Sequence, residues 1–222
     1  MRSWFKKKTK IKYPKFWNTY KSYFEKEELN IPLKDVTFVV FDTETTGFNY
    51  ANDRVLSIGA VKVIGNIIDV KTSFEVYLDQ TAFNPETVEI HGIMKNTKFE
   101  KIQETKALRE FLAYTKDAVI VAHHVYFDIT MMNKVLERNG LPPLLNRTLD
   151  TGYLFKKTKA INTLLKNDRG YSLDDVCKEL NIPIKDRHTA AGDAMLTAQA
   201  FLKILARLKF KPESTLKSLI RK

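Results

Sequence analysis

The hydrophobic pattern changes character at about residue 35. Between Val36 and Leu78, short apolar runs are separated by turn residues. They read VTFVVFD (36–42), RVLSIGAVKVI (54–64) and IIDVKTSFEVYL (67–78), with TGFNYAND (46–53) and Gly65-Asn66 as the links. Apolar runs bounded by such turns predict strands, and links this short predict an antiparallel meander. The pattern then alternates. A helical stretch over about 99–116 is followed by a short buried-looking strand, AVIVA (118–122), and a helix over about 128–138 that Gly140-Leu-Pro-Pro closes. A brief strand near 148–150 leads to another helical piece. Ser172 is placed to cap a helix running to about Leu180, and a long helix spans about 189–208. Strands first and alternating elements afterwards predict one α/β domain with a mixed sheet flanked by helices.

The segment before Pro32 differs in kind. Residues 1–34 carry ten lysines and arginines against three glutamates, interleaved with Trp4, Phe5, Tyr13, Phe16, Trp17, Tyr20, Tyr23 and Phe24. That is too aromatic for an ordinary disordered tail, and 16–28 fits an amphipathic helix. The expected organisation is therefore a basic aromatic extension (1–34), a main domain (35–209) and a basic tail (210–222). The net charge of +11 is concentrated at the two ends, and the body between them is slightly acidic. That distribution suits a polyanion held at the periphery of an acidic centre, although solvated ends would have the same composition. With Cys177 as the single cysteine, an internal disulfide and a cysteine-based zinc cluster are excluded. No apolar run reaches the roughly 18 residues that span a bilayer, and no signal-peptide core follows the N-terminus. A cytoplasmic protein without a membrane span is expected.

Four acids stand out by position. Asp42 and Glu44 end the first strand one residue apart, so its period of two puts both carboxylates on one face. Carboxylates that close repel each other, and a cation relieves the repulsion. Taken alone the pair could also be an exposed strand end. Asp128 follows the second buried strand, where an aspartate often only caps a helix, but where strand ends also converge on ligand crevices. Asp193 lies five residues after His188 near the start of the last helix. On a continuous helix the two would diverge by roughly 140°, whereas a loop position for His188 would let both reach one centre. A loop histidine also suits a general base.

Together these segments carry a resemblance. FVVFDTETTGFN, HHVYFD and YSLDDVCKEL…RHTAAGDA resemble the three motifs of the DEDDh 3′–5′ exonucleases, the group typified by the proofreading epsilon subunit of bacterial DNA polymerase III. The likeness covers about residues 35–209. It implies a ribonuclease H-like fold with a five-stranded mixed sheet, three strands antiparallel and the rest parallel. It implies a catalytic set of Asp42, Glu44, Asp128, His188 and Asp193, with the four acids holding two Mg²⁺ or Mn²⁺ ions. His188 would take the proton from the attacking water. It further implies substrate contacts at Thr45, Thr46, Phe48 and His91, with His124 standing where the family usually has asparagine. Asp150-Thr151 resembles a family pair read here as structural. The implied reaction is removal of nucleoside 5′-monophosphates from the 3′ end of DNA, single-stranded or frayed, with a polymerase subunit as partner by family analogy. Two alternatives stay open: an RNA 3′-end exonuclease or oligoribonuclease, and a non-catalytic nucleic-acid-binding module.

Overall fold

The computed structural model describes residues 12–26, 28–81, 87–88, 92–93, 99–159 and 170–221. Its elements in chain order are α1 (Lys15–Ser22), a 3-10 turn (Leu33–Asp35), β1 (Thr37–Thr45), β2 (Val55–Ile64), β3 (Ile67–Leu78) and β4 (Lys101–Ile102). There follow α2 (Glu104–Thr115), β5 (Val119–Ala122), α3 (Val125–Arg138), β6 (Thr148–Asp150), α4 (Thr151–Lys159), α5 (Leu173–Glu179), α6 (Ala190–Arg207) and α7 (Leu216–Ile220).

One sheet runs in the order β4-β3-β2-β1-β5-β6. The three long strands form the antiparallel meander that the short turns predicted, and β5 and β6 add in parallel to β1. The expected five strands become six, because two residues of β4 pair in parallel with the end of β3. A two-residue strand has no periodicity to read, so only the paired neighbour reveals it.

β1 is the centre of the fold. It lies between β2 and β5, and its first half is continuously apolar because helices cover both faces. Val39 and Phe41 pack with Leu108, Phe111, Met132 and Val135 of α2 and α3. Phe38 and Val40 pack with Phe155, Val176 and Phe201 of α4, α5 and α6. Even-numbered positions of β1 therefore face α6, and Asp42 and Glu44 continue that row beyond the apolar stretch.

The described parts of both basic ends belong to this packing. Trp17 and Tyr20 on α1 are each 1% exposed and lie in the same core as Phe41 and Phe111. The Tyr20 hydroxyl donates to Asn146 Oδ1 at 2.5 Å and accepts from the Leu145 N–H at 2.8 Å. Asn146 in turn donates to the carbonyls of Lys116 and Ala118, just before β5 begins. At the other end of the chain, Leu216 and Lys217 donate to the carbonyls of Ile31 and Leu29, and Leu219 is buried. Trp17, Tyr20, Leu216 and Leu219 are buried against the body, and Lys12, Lys15, Lys21 and Lys211 stay on its surface. The amphipathic helix is also shorter than 16–28, ending at Ser22.

Replacing Trp17 by alanine should cost about 3–5 kcal/mol, the usual range for emptying a fully buried aromatic site. Tyr20→Phe should cost about 1–3 kcal/mol, since Asn146 and the Leu145 N–H lose a buried partner. Denaturant melts of the full chain, read at constant m-value, check both.

Candidate active site

Asp42 and Glu44 are half-buried on β1, and Asp193 sits in the first turn of α6. Asp42 pairs across the sheet with Gly59 of β2. A β-carbon at Gly59 would collide with the backbone of Ala190 and Ala191. Glycine there is what lets the start of α6 lie directly on the sheet, bringing Asp193 to the β1 acids. One carboxylate oxygen from each of Asp42, Glu44 and Asp193 lies within 4.8 Å of the others.

The fourth acid arrives differently. β1 pairs with β5 only as far as Val40, opposite Val121, so beyond that point it has no β5 residue to bond. Asp128 accepts from the Thr43 N–H at 3.0 Å and from the Thr43 hydroxyl at 2.7 Å through the same oxygen, Oδ1. Asp128 lies inside α3, not at its cap. The helix starts at Val125, three residues earlier than the sequence pattern predicts, with His124 as a left-handed N-cap at φ 61°. The cap's work is done instead by Asp150, which accepts from the N–H groups of both Val125 and Tyr153. Asp150 thus ties together the starts of α3 and α4, the structural part expected of it.

His188 lies on the loop before α6, exposed, with a left-handed φ of 63°. Beside it, Arg187 is bonded through Nη1 to Asp193 Oδ2, and Nε donates to Asp174 Oδ1 at 2.6 Å. The other oxygen of Asp193, Oδ1, is buried without a hydrogen-bond partner. A buried carboxylate oxygen left bare is costly unless a cation takes it. The donor set is oxygen only, which fits hard divalent cations such as Mg²⁺ and Mn²⁺.

The remaining sequence-derived residues divide. Phe48 is 80% exposed, its ring centroid 5.6 Å from that of Phe127 just before Asp128. The Thr45 and Thr46 side chains are buried and engaged inside their own turn: Thr45 donates to the Gly47 carbonyl, and Thr46 donates to Asp53. His124 is exposed, its ring 4.3 Å from that of His123. His91 lies outside the described residues. Sequence reasoning missed Thr43 and Arg187. Both stand inside the quoted motifs, but nothing in their spacing marks them, because their partners are 85 and 13 positions away or set by a loop's turn.

The electrostatics follow from crowding. Burial, then the charges of Asp128, Asp193 and Glu44, raise the Asp42 carboxyl well above the usual range. Burial and the Asp193 charge push Glu44 up to about 7, with Arg187 pulling the other way. Burial raises Asp128 to about 7 against the two Thr43 bonds. His123 goes the other way, down to about 4, chiefly through burial and then through His124. Its Nε2 is 2.8 Å from the Tyr171 carbonyl, so that nitrogen carries the proton of a neutral ring.

Raised carboxyl groups mean that the folded chain binds more protons than the unfolded chain between the ordinary carboxylate range and about pH 7. Their contribution is full at low pH and is lost as pH rises through that window. The cation-stripped protein should therefore melt at a lower temperature at about pH 8 than at about pH 5.5, and Mg²⁺ should reduce the difference. Melting curves with and without EDTA check this.

Residues 39–201 match the RNase_T family, described as exonuclease. The chain is 34% identical over 172 residues to a DNA polymerase III PolC-type protein of Halalkalibacterium halodurans, a match covering 77% of this chain and 11% of that protein. It is 32% identical over 196 residues to a DNA polymerase III subunit epsilon-like protein of Rhodobacter capsulatus, covering 83% and 26%. The chain thus spans about a tenth to a quarter of the length of these relatives. Among solved structures, E. coli Exonuclease I in complex with a dT13 oligonucleotide superposes with a TM-score of 0.67 at 20% identity, over 79% of this chain and 42% of that one. That likeness carries the ribonuclease H-like fold. With a family match running from the third residue of β1 to the middle of α6, and all four acids inside it, the chain belongs to the RNase_T exonuclease family.

Proposed function

We propose that this exonuclease is of the DEDDh type and hydrolyses DNA from the 3′ end, releasing nucleoside 5′-monophosphates with the help of divalent cations. The observation that carries the reading is the convergence of the Asp42, Glu44 and Asp193 oxygens within 4.8 Å, with buried Asp128 held against the same strand. Asp42, Glu44 and Asp193 would hold one ion, and Asp42 and Asp128 the other. Bound there, divalent cations supply charge stabilisation for the attacking and leaving oxygens of an in-line displacement. His188, exposed on its loop, accepts the proton of the attacking water. Exposed Phe48 offers an apolar face to a terminal base, which favours an unpaired or frayed end over a closed duplex. The DNA-bound neighbour and the polymerase III names of the relatives support DNA as substrate and a polymerase subunit as partner. Among the described residues, no helix is long and apolar enough to cross a membrane.

Asp42→Ala should abolish hydrolysis, because it removes a ligand shared by both ions. His188→Ala should lower kcat about 10²–10⁴-fold while leaving cation binding in place. Chelation should stop the reaction, and a circular single strand should survive where its linear form is degraded. Matched DNA and RNA oligonucleotides, single- and double-stranded, with products resolved by length, check these outcomes. Undiminished activity in excess EDTA would refute the mechanism, and preference for RNA would move the substrate to the other branch.

A further inference from the structure

The loop that carries His188 is held in an unusual way. Asp186 and His188, on either side of Arg187, both have left-handed backbone, at φ 53° and 63°. For residues other than glycine this geometry costs free energy and persists only where the surroundings enforce it. Part of the enforcement is local. The Thr189 hydroxyl donates to the Asp186 carbonyl and accepts from the Gly192 N–H, and a β-carbon at Gly192 would strike that same carbonyl. The rest comes from Arg187. Its guanidinium joins Asp174, in the first turn of α5, to Asp193, in the first turn of α6.

The bond to Asp193 engages Oδ2 and leaves Oδ1 bare. One cation therefore orients a ligand carboxylate and holds the backbone of the adjacent histidine. The outer half of the arrangement is accessible to solvent: the Asp174 side chain is 53% exposed and that of Arg187 20%. Ion pairs this open contribute little to stability, typically about 0–1 kcal/mol. What the pair does contribute is direction. A guanidinium has donors in a rigid plane, so fixing one edge on Asp174 fixes where the other edge points.

We propose that Asp174 and Arg187 form a clasp that positions His188 and Asp193 relative to each other, with Asp174 acting from outside the reaction centre as a positioning residue. The proposal rests on the assignment of His188 as base and Asp193 as ligand made above. It goes further by giving a role to an exposed aspartate that lies outside the carboxylate cluster and acts through Arg187.

The test uses the full chain and the variants Asp174→Asn, Arg187→Lys, Arg187→Gln, the double variant Asp174→Asn/Arg187→Gln, and His188→Ala as control. kcat and KM are measured on a single-stranded oligonucleotide, Mn²⁺ binding by calorimetry, and melting temperature without metal. Asp174→Asn should lower kcat about 10–100-fold, the usual effect of losing an outer partner of a site. KM should change little, and melting should stay within a few degrees of wild type. Arg187→Lys should not restore the rate, because an ammonium cannot hold two carboxylates in a fork. The double variant should be no slower than Arg187→Gln alone, since both remove the same interaction. Wild-type kcat in Asp174→Asn beside an inactive His188→Ala overturns the clasp and leaves the assignment of the base standing. Wild-type kcat in His188→Ala overturns that assignment itself. Tighter Mn²⁺ binding in Arg187→Gln with a silent Asp174→Asn also overturns the clasp, making Arg187 a counter-ion only.

Discussion

Four carboxylates gathered at one end of the central strand repel one another, and much of the surrounding structure answers that repulsion. Asp42, Glu44 and Asp193 are close enough to share a cation, and burial denies them the water that would otherwise screen them. Each is relieved in its own way: Asp128 by two bonds from Thr43, Asp193 by Arg187, and Asp42 and Glu44 by the more distant field of that same arginine. These devices are partial. They leave proton affinities raised and the Asp193 Oδ1 atom bare, so added positive charge would be stabilised there.

The apolar body makes such crowding tolerable. β1 is clamped by β2, β5 and helices on both faces, so its end cannot drift to relieve the charges. Gly59 sets how closely α6 may approach, and a side chain there would push Asp193 away from its partners. The aromatic helix α1 and the paired segments around Pro32 and Thr215 add to the same body at the edge where β5 begins. Their burial shows that a basic, aromatic composition is compatible with packing: Trp17 and Tyr20 face inward while Lys15 and Lys21 stay out.

Much of this was legible from residue order. The antiparallel meander and the capping of α5 by Ser172 follow from turn residues and caps; spacing alone left His188 on the helix or on the loop before it, and the structure puts it on the loop. The face shared by Asp42 and Glu44 follows from the strand period alone. Less legible were features set by contacts between distant segments. The start of α3 at Val125 depends on Asp150, 25 positions away, substituting for a local cap. The internal engagement of Thr45 and Thr46 depends on how their turn closes on Gly47 and Asp53.

The sequence by itself determined the α/β class, the order of the main elements and the shared face of Asp42 and Glu44, because periodicity and turn chemistry are local properties. Only the tertiary structure decided that α1 joins the core, that Thr43 holds Asp128, and that Arg187 bridges Asp174 and Asp193. Those outcomes depend on which surfaces meet when the helices close on the sheet. Side-chain bonds across such surfaces leave no period in the chain, so they become visible only when the distances between segments are known.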